Sequence, residues 1–331
     1  MTTAFVLAGG GSLGAVQVGM AGALLRAGIR PDRVYGSSMG ALNAAALAAQ
    51  PTAAGVDRLA AAWQHLSRRE VYPADTRQLL EAAVRSLPML PLGLLRAIGG
   101  RNEAYPFRPL SVLAGAAGLA DALVPRRARE RMIAGLVPLT QLDLASLPLE
   151  VEAAEITTGR LVPLSVGAAV PALLAATALA GLFPPEHVGP STLVDASLAE
   201  STALDRAVEG GADEVYVLPS GFACDLDDPP PGAFGVAVHA STVLIEQRLI
   251  TSIARADPRV AVYAVPPLCP LSVVPVDFSH TVELILRAEE ATRRWLRSGH
   301  RPVPGLSRAL GAHGASGVLD LTAAGLSVPP H

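Results

Sequence analysis

The stretch YGSSMGA at residues 35–41 sets two serines between two glycines. Acyl transfer by a serine uses this arrangement: in G-x-S-x-G a sharp turn between a strand and a helix lifts one hydroxyl clear of the backbone. Gly36 and Gly40 let neighbouring backbone come close to the turn, and their spacing makes Ser38, not Ser37, the reactive residue. A developing oxyanion needs unhindered N–H donors. Gly9, Gly10 and Gly11, at the end of the apolar segment TAFVLA, can supply them. The remaining part is a base. His239 and His280 fall in or beside predicted helices with no neighbour that suggests catalysis, so a structural or surface role is expected for each. Asp195 in LVDAS is the better candidate, because packing gives no reason for an aspartate at the end of a short apolar strand. The alternative for Asp195 is a turn or helix cap ahead of LAESTAL.

Gly9, Gly11 and Gly14 also match G-x-G-x-x-G, which opens a second possibility, a dinucleotide fold. That fingerprint wants an acidic residue at the carboxyl end of the second strand. Asp32 instead precedes the strand RVYGSS, whose carboxyl end carries the serine turn.

The elements that must position these residues alternate. TAFVLA reads as a buried strand, residues 15–27 as a helix closed by Gly28, RVYGSS as a second strand, and residues 39–49 and 56–69 as two helices. This order predicts parallel βαβ units. LEVEAAEI and LVPLSV form an expected strand pair around TTGR. A helix from Pro171, strands at 192–197, 214–220 and 259–265, and helices at 235–255 and 279–298 complete the ordered part. The fold class is therefore α/β, three layers with a mainly parallel central sheet. One domain over residues 1–298 is expected, with a helical insertion or cap at about 70–148 and a loosely ordered Gly/Pro-rich tail at 299–331. Within the insertion, SLPMLPLGLLRAIGG reads as a buried connector and RRARERM as a solvated helix face.

Composition narrows the classes. A net charge of -3 and a pI near 6.2 give no basic field for nucleic acid. All 26 basic residues are arginine, which excludes a phosphate-binding loop lysine, Schiff-base chemistry and a serine-lysine dyad. Three charge-free stretches, 1–25, 34–56 and 161–185, are long enough to span a bilayer, but glycines and prolines interrupt them and buried segments are the better reading. Cys224 and Cys269 form no CxxC pattern and the seven histidines are scattered, so neither a disulfide framework nor a metal site is expected, nor any cofactor. The acidic loop of Asp225, Asp227 and Asp228 lacks the spacing of a calcium loop. A cytoplasmic setting follows as the expectation.

With these motifs in view, the chain resembles the patatin-like phospholipase family. LAGGGSLGAVQVGM is similar to its oxyanion motif, YGSSMGALNA to its nucleophile elbow, and ALAGLFPPEHVGPSTLVDASLAE to the segment bearing its catalytic aspartate. The resemblance implies a serine-aspartate dyad without histidine, in which Ser38 attacks a lipid acyl ester and Asp195 carries the proton. It also implies a lipid substrate, with transient contact at a membrane surface. Two departures stand out. Asp195 is followed by Ala196 and Ser197 where the family has Asp-Gly-Gly or Asp-Gly-Ala, and Leu13 stands where a basic residue is frequent. The first leaves a lipid-binding protein without catalysis as an alternative.

Overall fold

The computed structural model describes residues 1–66, 126–228, 230 and 232–299. In chain order these form β1 (Thr3–Leu7), α1 (Ala15–Arg26), β2 (Arg33–Ser37), α2 (Met39–Ala49), α3 (Ala53–His65), α4 (Arg126–Leu136), β3 (Leu149–Glu155) and β4 (Leu161–Leu164). Then follow α5 (Ala169–Ala176), β5 (Glu186–Val188), β6 (Ser191–Asp195), α6 (Ala203–Glu209), β7 (Glu214–Leu218), α7 (Gly232–Arg255), β8 (Ala261–Ala264) and α8 (Thr281–Arg297). The connector SLPMLPLGLLRAIGG, most of the expected insertion, and the tail beyond residue 299 lie outside the described residues.

Period-two burial explains the layers. Along β1, Phe5 and Leu7 face one hydrophobic cluster with α1, α2 and α3, while Ala4 and Val6 face another with α6 and α7. In β7, Tyr216 and Leu218 alternate with Val215 and Val217 in the same way. A sheet covered on both faces makes short apolar strands of this kind. The pairs β1–β2, β1–β7, β2–β3 and β7–β8 are parallel, and the pairs made by β4, β5 and β6 are antiparallel.

The register around β3 has a consequence for the site. Val151 is paired with both Gly36 of β2 and Leu164 of β4, and Ala153 with both Val162 of β4 and Asp195 of β6. A strand residue has two edges, so β2 and β6 share one edge of β3 and β4 takes the other. β2 and β6 therefore meet end to end, with Ser37 opposite Glu152 and Asp195 opposite the next residue, Ala153. Two chain segments far apart in sequence thus deliver their carboxyl ends to one point.

A buried polar chain ties the helices to the sheet. Trp63 Nε1 of α3 donates to Asn43 Oδ1 of α2 at 2.8 Å, and Asn43 Nδ2 donates to the Gly14 carbonyl and to Gln17 Oε1, each at 2.9 Å. Gln17 Nε2 of α1 then donates to the carbonyls of Ala8 at 2.6 Å and Leu218 at 3.0 Å, at the ends of β1 and β7. All three side chains are buried.

Some elements differ from the sequence expectation. α3 starts at Ala53 rather than 56 because Thr52 caps it, accepting the Gly55 N–H at 3.1 Å. β5 and α6 were not expected: β5 has three residues, too few for alternation to register, and α6 has seven. The arginine cluster is not a wholly solvated face. Arg129 is fully buried, donating to the Leu174 and Pro184 carbonyls and to Glu186 at 3.1 Å, with its guanidinium 4.7 Å above the Phe183 ring. Burial lowers its pKa to about 10. Finally, the two cysteines, as thiols, lie with Sγ atoms 3.4 Å apart.

Replacing Asn43 with leucine would strand the Trp63 N–H and Gln17 Oε1 in an apolar interior. A loss of about 2–4 kcal/mol is expected from two orphaned buried groups, measurable as a lower urea midpoint with an unchanged slope.

Candidate active site

Ser38 joins β2 to α2 with φ 53° and ψ −133°, and it is the only non-glycine residue of positive φ among the described residues. Such a backbone costs on the order of 1–3 kcal/mol and persists only where its surroundings enforce it. Here they do. A Cβ on Gly40 would stand 2.3 Å from the Leu7 carbonyl oxygen, and one on Gly36 2.6 Å from the Gly40 carbonyl oxygen. α2 is thereby pressed onto the end of β1.

The glycine run lies against this turn. A Cβ on Gly9 would come within 2.8 Å of Ser38 Cβ. The N–H groups of Gly9 and Gly10 donate to no backbone carbonyl among the described residues, whereas Ala8 N–H is taken by Leu218 and Ser12 N–H by Pro275. Gly10 and Gly11 line a cleft with Ser38; Gly9 and Ser38 line a second, smaller cavity toward α6 and α7. The cleft is mostly apolar, with Met132, Leu179, Leu182, Phe183, Val238 and Ile245 among its walls. Gly10 and Gly11 pack against Ser220 and the Pro275 carbonyl, and Asp32 accepts the Thr3 N–H at the opposite end of β1. The length of β1 thus separates Asp32 from the glycine run, whereas the dinucleotide fingerprint needs its acidic residue at the carboxyl end of the second strand.

Asp195 is 1% exposed. Its Oδ1 accepts the Ser197 N–H at 2.9 Å, so the capping role and the position beside Ser38 coexist in one side chain. Its Oδ2 is buried without a hydrogen-bond partner. Burial raises the pKa of the carboxyl; the nearby hydroxyls of Ser38 and Ser197, the Ser197 N–H and the Arg248 charge oppose that rise. Ala196 needs no positive φ, so alanine in place of the family's glycine does not strain the turn. Leu13 packs in the main core.

Sequence reasoning did not find two residues at this point. Arg248 of α7 donates to the carbonyls of Ala196 at 3.4 Å, Ser197 at 2.7 Å and Ser201 at 2.8 Å, fastening the segment that follows Asp195. Glu152 of β3 is 1% exposed and lines the smaller cavity, as Ser38 and Asp195 do. Alternation in LEVEAAE marks a strand but does not say what covers its polar face, which here packs under α6 and α7. Glu150 pairs there with Arg206 at 2.8 Å. Neither His239 nor His280 lines either cavity. His280 is exposed beside Glu283, and the His239 ring meets Phe222 edge-on.

The fold and site define an α/β protein with a strained serine turn set against a buried carboxyl. The family model described as Patatin-like phospholipase matches residues 5–208, more than half of the chain and inclusive of both glycine motifs and Asp195, so the chain belongs to the patatin-like phospholipase family. No curated protein sequence matches significantly. Among solved structures, VipD from Legionella pneumophila is similar at 14% identity and a TM-score of 0.40, over 90% of this chain and 67% of that one. ExoU from Pseudomonas aeruginosa, solved with SpcU, is similar at 16% identity and a TM-score of 0.33 over 92% of this chain; the match spans 55% of ExoU. No helix among the described residues is long and apolar enough to cross a membrane.

A fluorophosphonate probe is expected to label the protein and Ser37→Ala, and to leave Ser38→Ala unlabelled, read by intact mass. A second outcome concerns stability. The native Asp195 holds its proton more tightly than the unfolded chain does, so ionising it costs stability as pH rises from about 3.9 through the raised native value. Asp195→Asn is therefore expected to melt at a higher temperature than the wild type at neutral pH, with the gap closing as pH falls below about 4.

Proposed function

We propose that the protein hydrolyses acyl esters of lipids, with Ser38 as nucleophile, Asp195 as its general base and acid, and the N–H groups of Gly9, Gly10 and Gly11 as oxyanion donors. The observation that carries this reading is the placement of Ser38. Its strained turn stands between a buried carboxyl with an uncommitted oxygen and a narrow apolar cleft. The cleft walls suit an acyl chain, and Ser38 sits where the ester carbonyl of that chain would end.

In acylation the Ser38 oxygen bonds to the carbonyl carbon and its proton passes to Asp195. The negative oxygen is met by the glycine N–H groups, and the alcohol leaves with the proton that Asp195 returns. Water then repeats the sequence, releasing the fatty acid. The raised Asp195 pKa suits this role, because an ordinary carboxylate is too weak a base for efficient proton transfer near neutrality. Desolvation is its cause, and the apolar neighbourhood of the dyad supplies it. On this reading the protein works at the cytoplasmic surface of a membrane, touching lipid without spanning it.

A lipid-binding protein without catalysis is the second reading, motivated by the Asp-Ala-Ser sequence; the unstrained Ala196 removes its main support. An ester-hydrolysis screen over acyl length and head group decides between them. Turnover of at least one acyl ester is expected, with Asp195→Asn slower by about 10²–10⁴-fold, the usual worth of a positioned base. Binding of fatty acid or lysolipid with no hydrolysis of any ester would overturn the proposal.

A further inference from the structure

The segments that leave β7 and β8 at their carboxyl ends both reach the glycine run. A Cβ on Gly10 would stand 2.3 Å from Ser220 Cβ, just after β7, and one on Gly11 2.3 Å from the Pro275 carbonyl oxygen, after β8. That same carbonyl accepts the Ser12 N–H at 2.8 Å. Between these points the two segments touch each other. The Asp225 N–H donates to the Leu271 carbonyl at 3.1 Å, and a Cβ on Gly221 would stand 3.4 Å from Pro267 Cβ. Each segment carries one of the chain's two cysteines beside this contact, Cys224 and Cys269. Their Sγ atoms are 3.4 Å apart although 45 residues separate them in sequence. Packing does not explain the pair. A cysteine kept for its apolar bulk is buried, whereas Cys269 is exposed and Cys224 half-buried.

We infer that Cys224 and Cys269 are a redox modification site, which exchanges with a small-molecule disulfide and closes to a staple across the two segments that flank Gly10 and Gly11. The inference stands independently of the hydrolase reading. The thiol contact is about 1.4 Å longer than a disulfide bond, a gap that side-chain rotation closes. In the exchange, the exposed Cys269 thiolate attacks one sulfur of glutathione disulfide and releases the first glutathione. The Cys224 thiolate then attacks the Cys269 sulfur of the mixed disulfide and releases the second. The protein gives up two electrons and two protons, and the protons end on the two glutathione thiols. Desolvation, and next the hydrogen bond and charge of Cys224 and the charge of Asp225, raise the Cys269 pKa. The exchange is therefore slow near neutrality and faster in mildly alkaline buffer, where more thiolate forms. In a reducing compartment the pair stays open, and in an oxidising one it closes.

The test incubates the wild type, Cys224→Ser and Cys269→Ser with glutathione disulfide at about pH 8.5, followed by acid quench and intact mass. The wild type is expected to lose the mass of two hydrogens and to yield a peptide pair linked through Cys224 and Cys269 on non-reducing digestion. Cys224→Ser, which lacks the second thiol, is expected to retain one glutathione on Cys269. The closed form is expected to melt about 4 °C or more above the reduced form. Exchange of the Ser12 amide hydrogen, held by the Pro275 carbonyl, is expected to slow. A wild type that retains bound glutathione, links into dimers or stays unchanged would overturn the inference. So would a closed form whose melting and Ser12 exchange match those of the reduced protein. Should a serine variant fail to fold, the wild-type mass and the linked peptide pair decide alone.

Discussion

The contact between α2 and the end of β1 is the constraint on which the site depends. Gly40 has no side chain, and the Leu7 and Ala8 carbonyl oxygens occupy the space where one would stand. That approach drives the chain through an unfavourable backbone angle at Ser38 and sets the glycine run beside it. The strain is local, but its support is not. Trp63, Asn43 and Gln17 form a chain of buried hydrogen bonds from α3 through α2 and α1 to the carbonyl of Ala8, the residue before Gly9. A polar network of this kind specifies one geometry, because any slip leaves buried groups unpaired.

The carboxyl arrives by a different route. β6 runs antiparallel along β3 and stops where β2 stops, so the carboxyl is delivered by strand register and not by a loop. Fully burying Asp195 works against stability, and Arg248 offsets part of that cost from a distance while clamping the carbonyls after Asp195. Two opposed demands meet in this residue: burial disfavours the ionised carboxyl, and the same burial raises its proton affinity.

Much of this was legible in the sequence, for identifiable reasons. G-x-S-x-G between a strand and a helix has one geometric solution, so Ser38, Gly36 and Gly40 could be placed without a structure. Asp195 stood out because a charge at the end of an apolar strand needs a partner or a purpose. Gln17 and Asn43 carried a weaker signal, lone amides in otherwise apolar helices, whose meaning depends on which helices meet. Glu152 was hidden by a pattern that reads two ways. Alternation identifies a strand, yet whether its polar face meets water depends on α6 and α7, which come later in the chain. Arg129 was hidden likewise, since a basic run on a short helix reads as solvated until the partner carboxyl of Glu186, 57 residues away, is in place.

The central claim is that a buried aspartate, with no histidine, activates Ser38. The most direct measurement is the rate of Ser38 acylation across pH in the wild type and in the double variant His239→Ala, His280→Ala. The account predicts a single acid limb with a midpoint above about 3.9, the ordinary aspartate value, and the same limb in the double variant. Loss of acylation in the double variant, or a limb that disappears with those two histidines, would contradict it.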